Sequence, residues 1–514
     1  MNNEPAKSSS LTARTSWLIF AKTLGFAFGF ALPLLLVRRL NQTDFGLYRQ
    51  TFLVVGTASG ILPLGFATSA FYFLPRERDK RGAIVFNIVL FNLVVGGVGV
   101  LILLLAPQSL RVILNSQALV PYAPYIGLLI LLGIVSYFLE IAAIANQEAR
   151  LATVFIIVAQ FVKTALLLAA ALVFASLGML LWAAIIHGIV QTAVLVFYLR
   201  SRFVGFWREF DSSMMRRQLS YGLPLGFAGL LYIVLTDLHN YFVSYRFGTS
   251  AFAVYAIGCF SLPLFGIIGE SVGPVVIARV SELQKQGKQR EIVQTIAGAM
   301  RKLAVIYFPL YAFLLVVGRE FIVFLFTEQY LASWPIFAIN LTTLPFLVLI
   351  ADPVIRSHAE HRFFLLKVRA VTIVGLFAAL WFGTKYFGLL GAVSAMVAIT
   401  VIDRLVEAVK AWRIMKVTPR DVVLIKDVGK VAVAALATAS VTAMLRVVMV
   451  GQRPFLILVA CGLTFGCLYP VLVWLVGVPS PEERELIRRT IGRLTRWLPG
   501  KRELPADARR IEAS

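Results

Sequence analysis

The side chains in this sequence most able to do chemistry are charged and imidazole groups set inside long apolar runs. Lys22 lies in the 22-residue apolar segment Ser16–Val37, and Lys163 sits near the midpoint of the run 152–175. Gln160, three residues before Lys163, falls on nearly the same helical face. His187 is near the middle of the run 179–199, and Asp237, His239 and Asn240 occupy the C-terminal half of the run 221–244. Glu140 and Glu270 lie toward the ends of the runs 122–146 and 251–278. Glu270 falls in Gly269-Glu-Ser-Val-Gly-Pro274, where glycine and proline open the backbone ladder. An ionisable group at bilayer depth costs a few kcal/mol, so it pairs, faces a water-filled cavity, or works.

Each group also has a plainer reading. Lys22 lies about two turns from the end of its segment and can snorkel to a headgroup. Glu140 and Glu270 can pair with loop arginines, His187 can be a hydrogen-bonded packing residue, and Asp352, before Pro353, reads as an interface residue. Lys163 and Asp237 are too deep for these explanations and call for a cavity or for each other. The chemistry they suggest is charge recognition. Lys22, Lys163 and His187, with Arg38 and Arg39 in the turn after the first segment, would form a cationic cavity for an anionic headgroup. Asp237, with Glu270, Glu140 and His239, would exchange a proton or sodium ion and bias one conformation over another.

Catalysis has no comparable support. The four histidines form no metal-spaced or nucleophile-activating set, and no glycine-rich phosphate loop is followed by Lys-Ser/Thr. Cys259, Cys461 and Cys467 all lie in apolar runs, which gives neither a disulfide framework nor a zinc site. No enzyme, metal or cofactor is expected.

The elements that must position these charges are membrane helices. The chain of 514 residues is 59% hydrophobic, well above a soluble domain, with a mean hydropathy of +0.83. Its apolar runs predict an all-α polytopic membrane protein of about fourteen transmembrane helices: 16–37, 49–73, 83–106, 122–146, 152–175, 179–199, 221–244, 251–278, 303–318, 333–355, 363–383, 386–409, 428–449 and 454–477. With both termini on one side, the segments on that side hold 34 of the 49 Lys and Arg, the other side holds seven, and eight lie within spans, most of them near span ends. The positive-inside rule makes the rich side cytoplasmic. The net charge of +23 therefore reads as topology and contact with anionic inner-leaflet lipid rather than nucleic-acid binding.

An internal repeat organises the helices. Arg39, Phe45 and Tyr48 after helix one recur as Arg246, Phe252 and Tyr255 after helix seven, at a constant offset of 207 residues. The expected organisation is a cytosolic N-terminal segment 1–15, a six-helix lobe 16–199, a linker 200–220 with a short interfacial helix at 206–218, and a second six-helix lobe 221–410. A basic loop with two extra helices, 411–477, and a cytosolic tail, 478–514, complete it. An even-numbered unit makes the lobes parallel repeats. In the tail, Leu486, Ile487, Ile491, Leu494, Trp497 and Leu498 share a helical face among arginines, as in an interfacial amphipathic helix.

These features resemble the polysaccharide flippases of the multidrug/oligosaccharidyl-lipid/polysaccharide exporter superfamily. The resemblance is carried by Val37-Arg-Arg-Leu-Asn-Gln-Thr-Asp-Phe-Gly-Leu-Tyr48, Leu64-Gly-Phe-Ala-Thr-Ser-Ala-Phe-Tyr-Phe-Leu-Pro75 and Phe324-Leu-Phe-Thr-Glu-Gln-Tyr-Leu-Ala-Ser333. The family pattern usually has Gly where this chain has Thr327. The resemblance implies flipping of a polyprenyl-diphosphate-linked oligosaccharide repeat unit for O-antigen, capsule or exopolysaccharide, by alternating access, beside a glycan polymerase and glycosyltransferases. Three rivals stand next to it. A lipid II flippase would carry a charged Arg-Asp pattern where this chain has Gly25-Phe-Ala-Phe-Gly29. A cation-coupled multidrug exporter usually has twelve helices and a carboxylate in helix one. The third is a non-transporting subunit of a glycan assembly complex.

Overall fold

The computed structural model describes residues 28–260, 262–361, 363–480 and 483–485, and among these every regular element is helical. Residues 28–36 form α1. Asn41 then caps α2, Gln42–Ile61, by accepting a hydrogen bond from the Asp44 amide. The second helix thus begins seven residues before the expected start at 49, because the Asn41/Asp44 cap lets polar residues open it. It breaks at Leu64 and Gly65, both at positive φ, and resumes at Phe66–Phe73 with a bend of 42°. There the later helix that carries Gly226 presses on the break: a Cβ on Gly226 would lie 1.9 Å from the Leu64 carbonyl oxygen.

The following helices are α3 (Arg81–Leu105), α4 (Ala123–Ala145), α5 (Ala149–Val173) and α6 (Leu177–Arg202). The linker is shorter than expected. Phe206–Arg208 is a single 3-10 turn, and Asp211 caps α7 at Ser212 by accepting from the Met214 amide. Helix α7, Ser212–Gly258, consists of two helices that meet at a kink at Gly248, whose φ of 78° and ψ of −177° suit a residue without Cβ; it covers the expected segment 221–244 and the start of 251–278. Then come α8 (Pro263–Lys285) and α9 (Gln289–Phe326).

The expected helix 333–355 is instead a broken rod, with α10 (Trp334–Leu341), a 3-10 turn Leu344–Val348 and α11 (Asp352–Ser357). Pro335, Pro345 and Pro353 each stand at the start of a piece, where the missing N–H costs least and the preceding helix cannot continue. Helix α12, Phe364–Met415, likewise consists of two helices that meet at a kink at Gly388 (φ 58°, ψ −136°), so the expected segments 363–383 and 386–409 remain distinct. Helices α13 (Lys426–Val448) and α14 (Pro454–Leu475) follow. Among the described residues, ten helices are long and apolar enough to cross a membrane, or eleven if the bent pair at 42–73 counts as one span. Leu105, Phe197 and Val448, each 77% exposed or more, show why the surface suits lipid rather than water.

The packing is asymmetric across the membrane. Call the face carrying loops 74–80, 203–211, 286–288 and 416–425 the basic face. On the opposite face one apolar core runs through both halves, uniting Phe45, Tyr48 and Leu180 with Tyr255, Phe326 and Phe337. Toward the basic face the core divides. Phe66, Ile88, Phe138 and Tyr198 form one cluster in the N-terminal half, and Val280, Ile292, Tyr307 and Val354 form another in the C-terminal half. The last two helices pack on α9. Arg446 of α13 grips Glu320 of α9 with two nitrogens at 2.9–3.1 Å.

Candidate functional site

The seal on the opposite face is made by α2. Its positions 42, 46, 49, 50, 53 and 57 recur at three- and four-residue spacing and so share one face, which packs on α7. Gly46 lets the backbones meet, since a Cβ there would lie 2.3 Å from the Thr249 carbonyl oxygen. Polar side chains then tie the halves together. Gln42 Nε2 donates to the Gln329 carbonyl at 2.5 Å, Gln329 Nε2 donates to the Val37 carbonyl at 2.8 Å, and Arg38 Nη2 donates to the Phe324 carbonyl at 2.8 Å. One turn deeper, buried Gln50 donates to Ser244 Oγ at 2.7 Å.

Beneath this seal lie the charges. Asp237 of α7 accepts a 2.6 Å hydrogen bond from Thr57 Oγ1 of α2 and lies in the field of Arg49. Arg49 is half-buried and neighbours Tyr48 and Cys259. Lys163 of α5 is half-buried with its Nζ 5.9 Å from the centre of the Phe52 ring of α2. Lys163 and Asp237 thus face α2 from opposite halves, and α2 itself supplies a further cation, Arg49, in the field of Asp237. Arg49 was not singled out from the sequence; the spacing 42-46-49-53-57 is the signal that places it on the α2 face.

The other expected site residues divide clearly. His187 Nε2 is 3.0 Å from the Ala159 carbonyl, one turn before Lys163, so it ties α6 to α5 and shares the electrostatic neighbourhood of Lys163. His239 is buried with Nδ1 2.9 Å from the Tyr255 hydroxyl, which makes it a packing contact within α7. Arg38 is a strut of the seal, and Arg39 is exposed at the turn. Glu140 is half-buried near the basic-face end of α4, engaged by a neighbour. Lys22 and the side chain of Glu270 lie outside the described residues.

A second charged cluster, not singled out from the sequence, lies toward the basic-face end of α12. Asp403 Oδ1 accepts from Thr372 Oγ1 at 3.1 Å, and the buried Glu407 carboxylate is 3.9 Å from Arg404. Arg369 and Asp352 share its field. Charges at 403, 404 and 407 in an otherwise apolar stretch were the legible sign. Among the described residues no group of three or more His, Cys, Asp or Glu is placed to hold a metal ion.

Comparison with known proteins agrees with this architecture. A family model described as "Polysaccharide biosynthesis protein" matches residues 35–335. No curated protein sequence matches significantly. The fold is similar to that of a lipid II flippase, MurJ, in an inward closed conformation, with a TM-score of 0.69 at 13% identity, covering 93% of this chain and 100% of that one. It is also similar to the Vibrio cholerae MATE transporter VcmN, with a TM-score of 0.55 at 17% identity, covering 78% of this chain and 96% of that one. A transporter of the same superfamily from Pyrococcus furiosus matches at 0.54 and 17% identity, covering 79% and 96%. The MATE-type structures are thus matched nearly whole while about a fifth of this chain lies beyond them.

Proposed function

The chain belongs to the polysaccharide biosynthesis protein family, and on that premise we propose that it flips a polyprenyl-diphosphate-linked oligosaccharide across the bacterial inner membrane by alternating access. The observation that carries the proposal is the asymmetric packing: one continuous core and a set of cross-half hydrogen bonds on one face, two separate cores on the other. With the lysine- and arginine-rich face cytoplasmic, this is a carrier closed outward and divided inward. Arg49 and Lys163 sit where an incoming diphosphate would meet positive charge in a low-dielectric cleft. Asp237, held by Thr57 and facing Arg49, competes with that anion for the same cation. Substrate binding would free Asp237 to take up a proton or sodium ion, which links cargo to conformation.

The test is a deletion strain complemented with Arg49→Gln/Lys163→Gln. Accumulation of lipid-linked repeat units on the inner leaflet with normal levels of folded variant is the expected result. Unchanged surface glycan would overturn the assignment of these cations. The fold match to a lipid II flippase supports lipid II as the second reading of the cargo. Supplying each lipid to the reconstituted chain and measuring its translocation separates the two.

A further inference from the structure

We propose that the basic face of the C-terminal half carries a binding site for an anionic phospholipid, between the start of α9, the end of α12 and the segment 416–425. Two adjoining spaces make the site. The first, of about 600 Å³, is lined by Gln289, Arg290, Lys416, Thr418, Arg420 and Asp421. The second, an apolar slot of about 80 Å³, is lined by Ile296, Ala297, Met300, Trp412, Val417 and Ile425. Val293, Met415 and Asp421 line both, so the polar mouth opens directly onto the slot.

The charges at the mouth suit a phosphodiester. Arg290, Lys416 and Arg420 have no ion pair within 4.0 Å among the described residues, whereas Arg279 and Lys288 nearby are paired with Glu282 and Glu291. The one carboxylate at the mouth is committed elsewhere. Asp421 accepts from the Thr418 amide and hydroxyl, both at 2.8 Å, which closes a capping box and holds its carboxyl below the usual range. Guanidinium forks at Arg290 and Arg420 match phosphate oxygens, and Lys416 adds a point charge. Lys416 is held in a left-handed conformation at the end of α12, and Gln289 donates to the Ile414 carbonyl at 3.0 Å, so the rim is fixed.

The surroundings suit a lipid rather than a soluble anion. Trp412, Val423 and Leu424 are 43%, 58% and 38% exposed beside the mouth, the composition of a bilayer interface. The slot holds about three methylene-sized groups, judged against a water's share of roughly 30 Å³. The chain's own tail is a poor occupant, since Arg488, Arg489, Arg493 and Arg496 repeat the charge of the mouth. The site is remote from Arg49 and Lys163 in the chain and does not depend on the flipping assignment.

Three cations less one carboxylate leave a net of two, which predicts a roughly 25-fold preference for an anionic over a zwitterionic headgroup. The experiment is native mass spectrometry of the purified full chain with phosphatidylglycerol, phosphatidylcholine and inorganic phosphate as probes. Wild type is expected to retain phosphatidylglycerol with about that preference, and Arg290→Gln/Lys416→Gln/Arg420→Gln to retain both lipids equally. Arg290→Lys/Arg420→Lys should keep most of the preference, and Ala297→Phe, which fills the slot, should weaken lipid retention several-fold. Equal retention of both lipids by wild type, or an intact preference in the triple Gln variant, would overturn the proposal. So would displacement of the lipid by millimolar phosphate with no effect of Ala297→Phe, because that outcome describes a free-anion site.

Discussion

The seal between the halves rests on a contact that only glycine permits, and Gly46→Ala tests it directly. The new Cβ would sit 2.3 Å from the Thr249 carbonyl oxygen and 2.8 Å from its Cγ2. Ordinary contact begins near 3.4 Å, so α2 and the α7 segment after Gly248 must separate by about 1 Å. Overpacking of this kind costs about 1–3 kcal/mol, which lowers the weight of the closed state by about 5- to 150-fold. The same substitution raises helix propensity inside α2 by about 1 kcal/mol, so global stability should not fall. Cys259, half-buried in the neighbourhood of Arg49 and ten residues beyond Thr249, is the reporter. In a Cys461→Ser/Cys467→Ser background, a charged maleimide added from the 38–42 side should label Cys259 at least fivefold faster in the Ala variant. Thr249→Ala should not rescue it, because the obstacle is a backbone oxygen. Unchanged labelling together with unchanged transport would refute the idea that this contact closes the outer side.

Other positions give independent checks. Thr327 ends α9 with φ 72° and ψ 166°, a region that is essentially glycine's own and costs another residue about 1–3 kcal/mol. Thr327→Gly should therefore raise thermal stability by roughly 0.5–2 kcal/mol after the unfolded-state entropy of glycine is subtracted; a fall in melting temperature would count against the strain. Arg446→Met strands the mostly buried Glu320 and should cost about 1.5–3 kcal/mol, the range for a hydrogen bond to a charged group. Adding Glu320→Gln should recover part of that loss in a double-mutant cycle. At the linker, Lys80 at 2.8 Å and the Met214 amide hold the Asp211 carboxyl below its usual range. A depressed folded value means that this contribution is present above the unfolded value of about 3.9 and is lost as pH falls through the folded one. Emission from nearby Trp207 should shift on acidification below about pH 4 and not between pH 5 and 8; Asp211→Asn should remove the transition.

Much of the fold was legible because apolar length and loop charge are coarse signals that tertiary packing does not erase. Every expected span coincides at least in part with described helix. The failures are local and share a cause. Proline and glycine punctuate the apolar runs, but their effect depends on position: Pro335, Pro345 and Pro353 cut one expected span into pieces, while Gly248 and Gly388 sit at kinks between two helices, close to the expected boundaries 244/251 and 383/386. In the segments 39–48 and 246–255, Phe45, Tyr48, Phe252 and Tyr255 are all buried in the shared core. The site was half legible. Depth alone singled out Lys163 and Asp237, both of which lie against α2, and His239, whose ring nitrogen is taken by Tyr255. Arg49 was hidden by a helix boundary, the least reliable feature of a sequence reading.

The division of labour between apolar and polar contacts explains how such a seal can both hold and release. Gln42, Gln329 and Arg38 donate to backbone carbonyls at a water-facing rim, where each bond exchanges readily with water and nets only about 0.5–1.5 kcal/mol. Breaking several of them together costs a few kcal/mol, the gap that a ligand with unequal affinity for two states can overcome. The buried Gln50–Ser244 bond, one turn deeper, has no water to replace it while the seal is shut. It should therefore control specificity of register more than strength: Gln50→Leu/Ser244→Ala would leave the seal nearly as stable, whereas Gln50→Leu alone would leave the buried Ser244 oxygen without its donor while its hydroxyl still donates to the Leu114 carbonyl. Comparable Cys259 labelling in the double variant and wild type is the expected result. Labelling as fast as in Gly46→Ala would show instead that this bond, and not backbone contact at Gly46, keeps the halves closed.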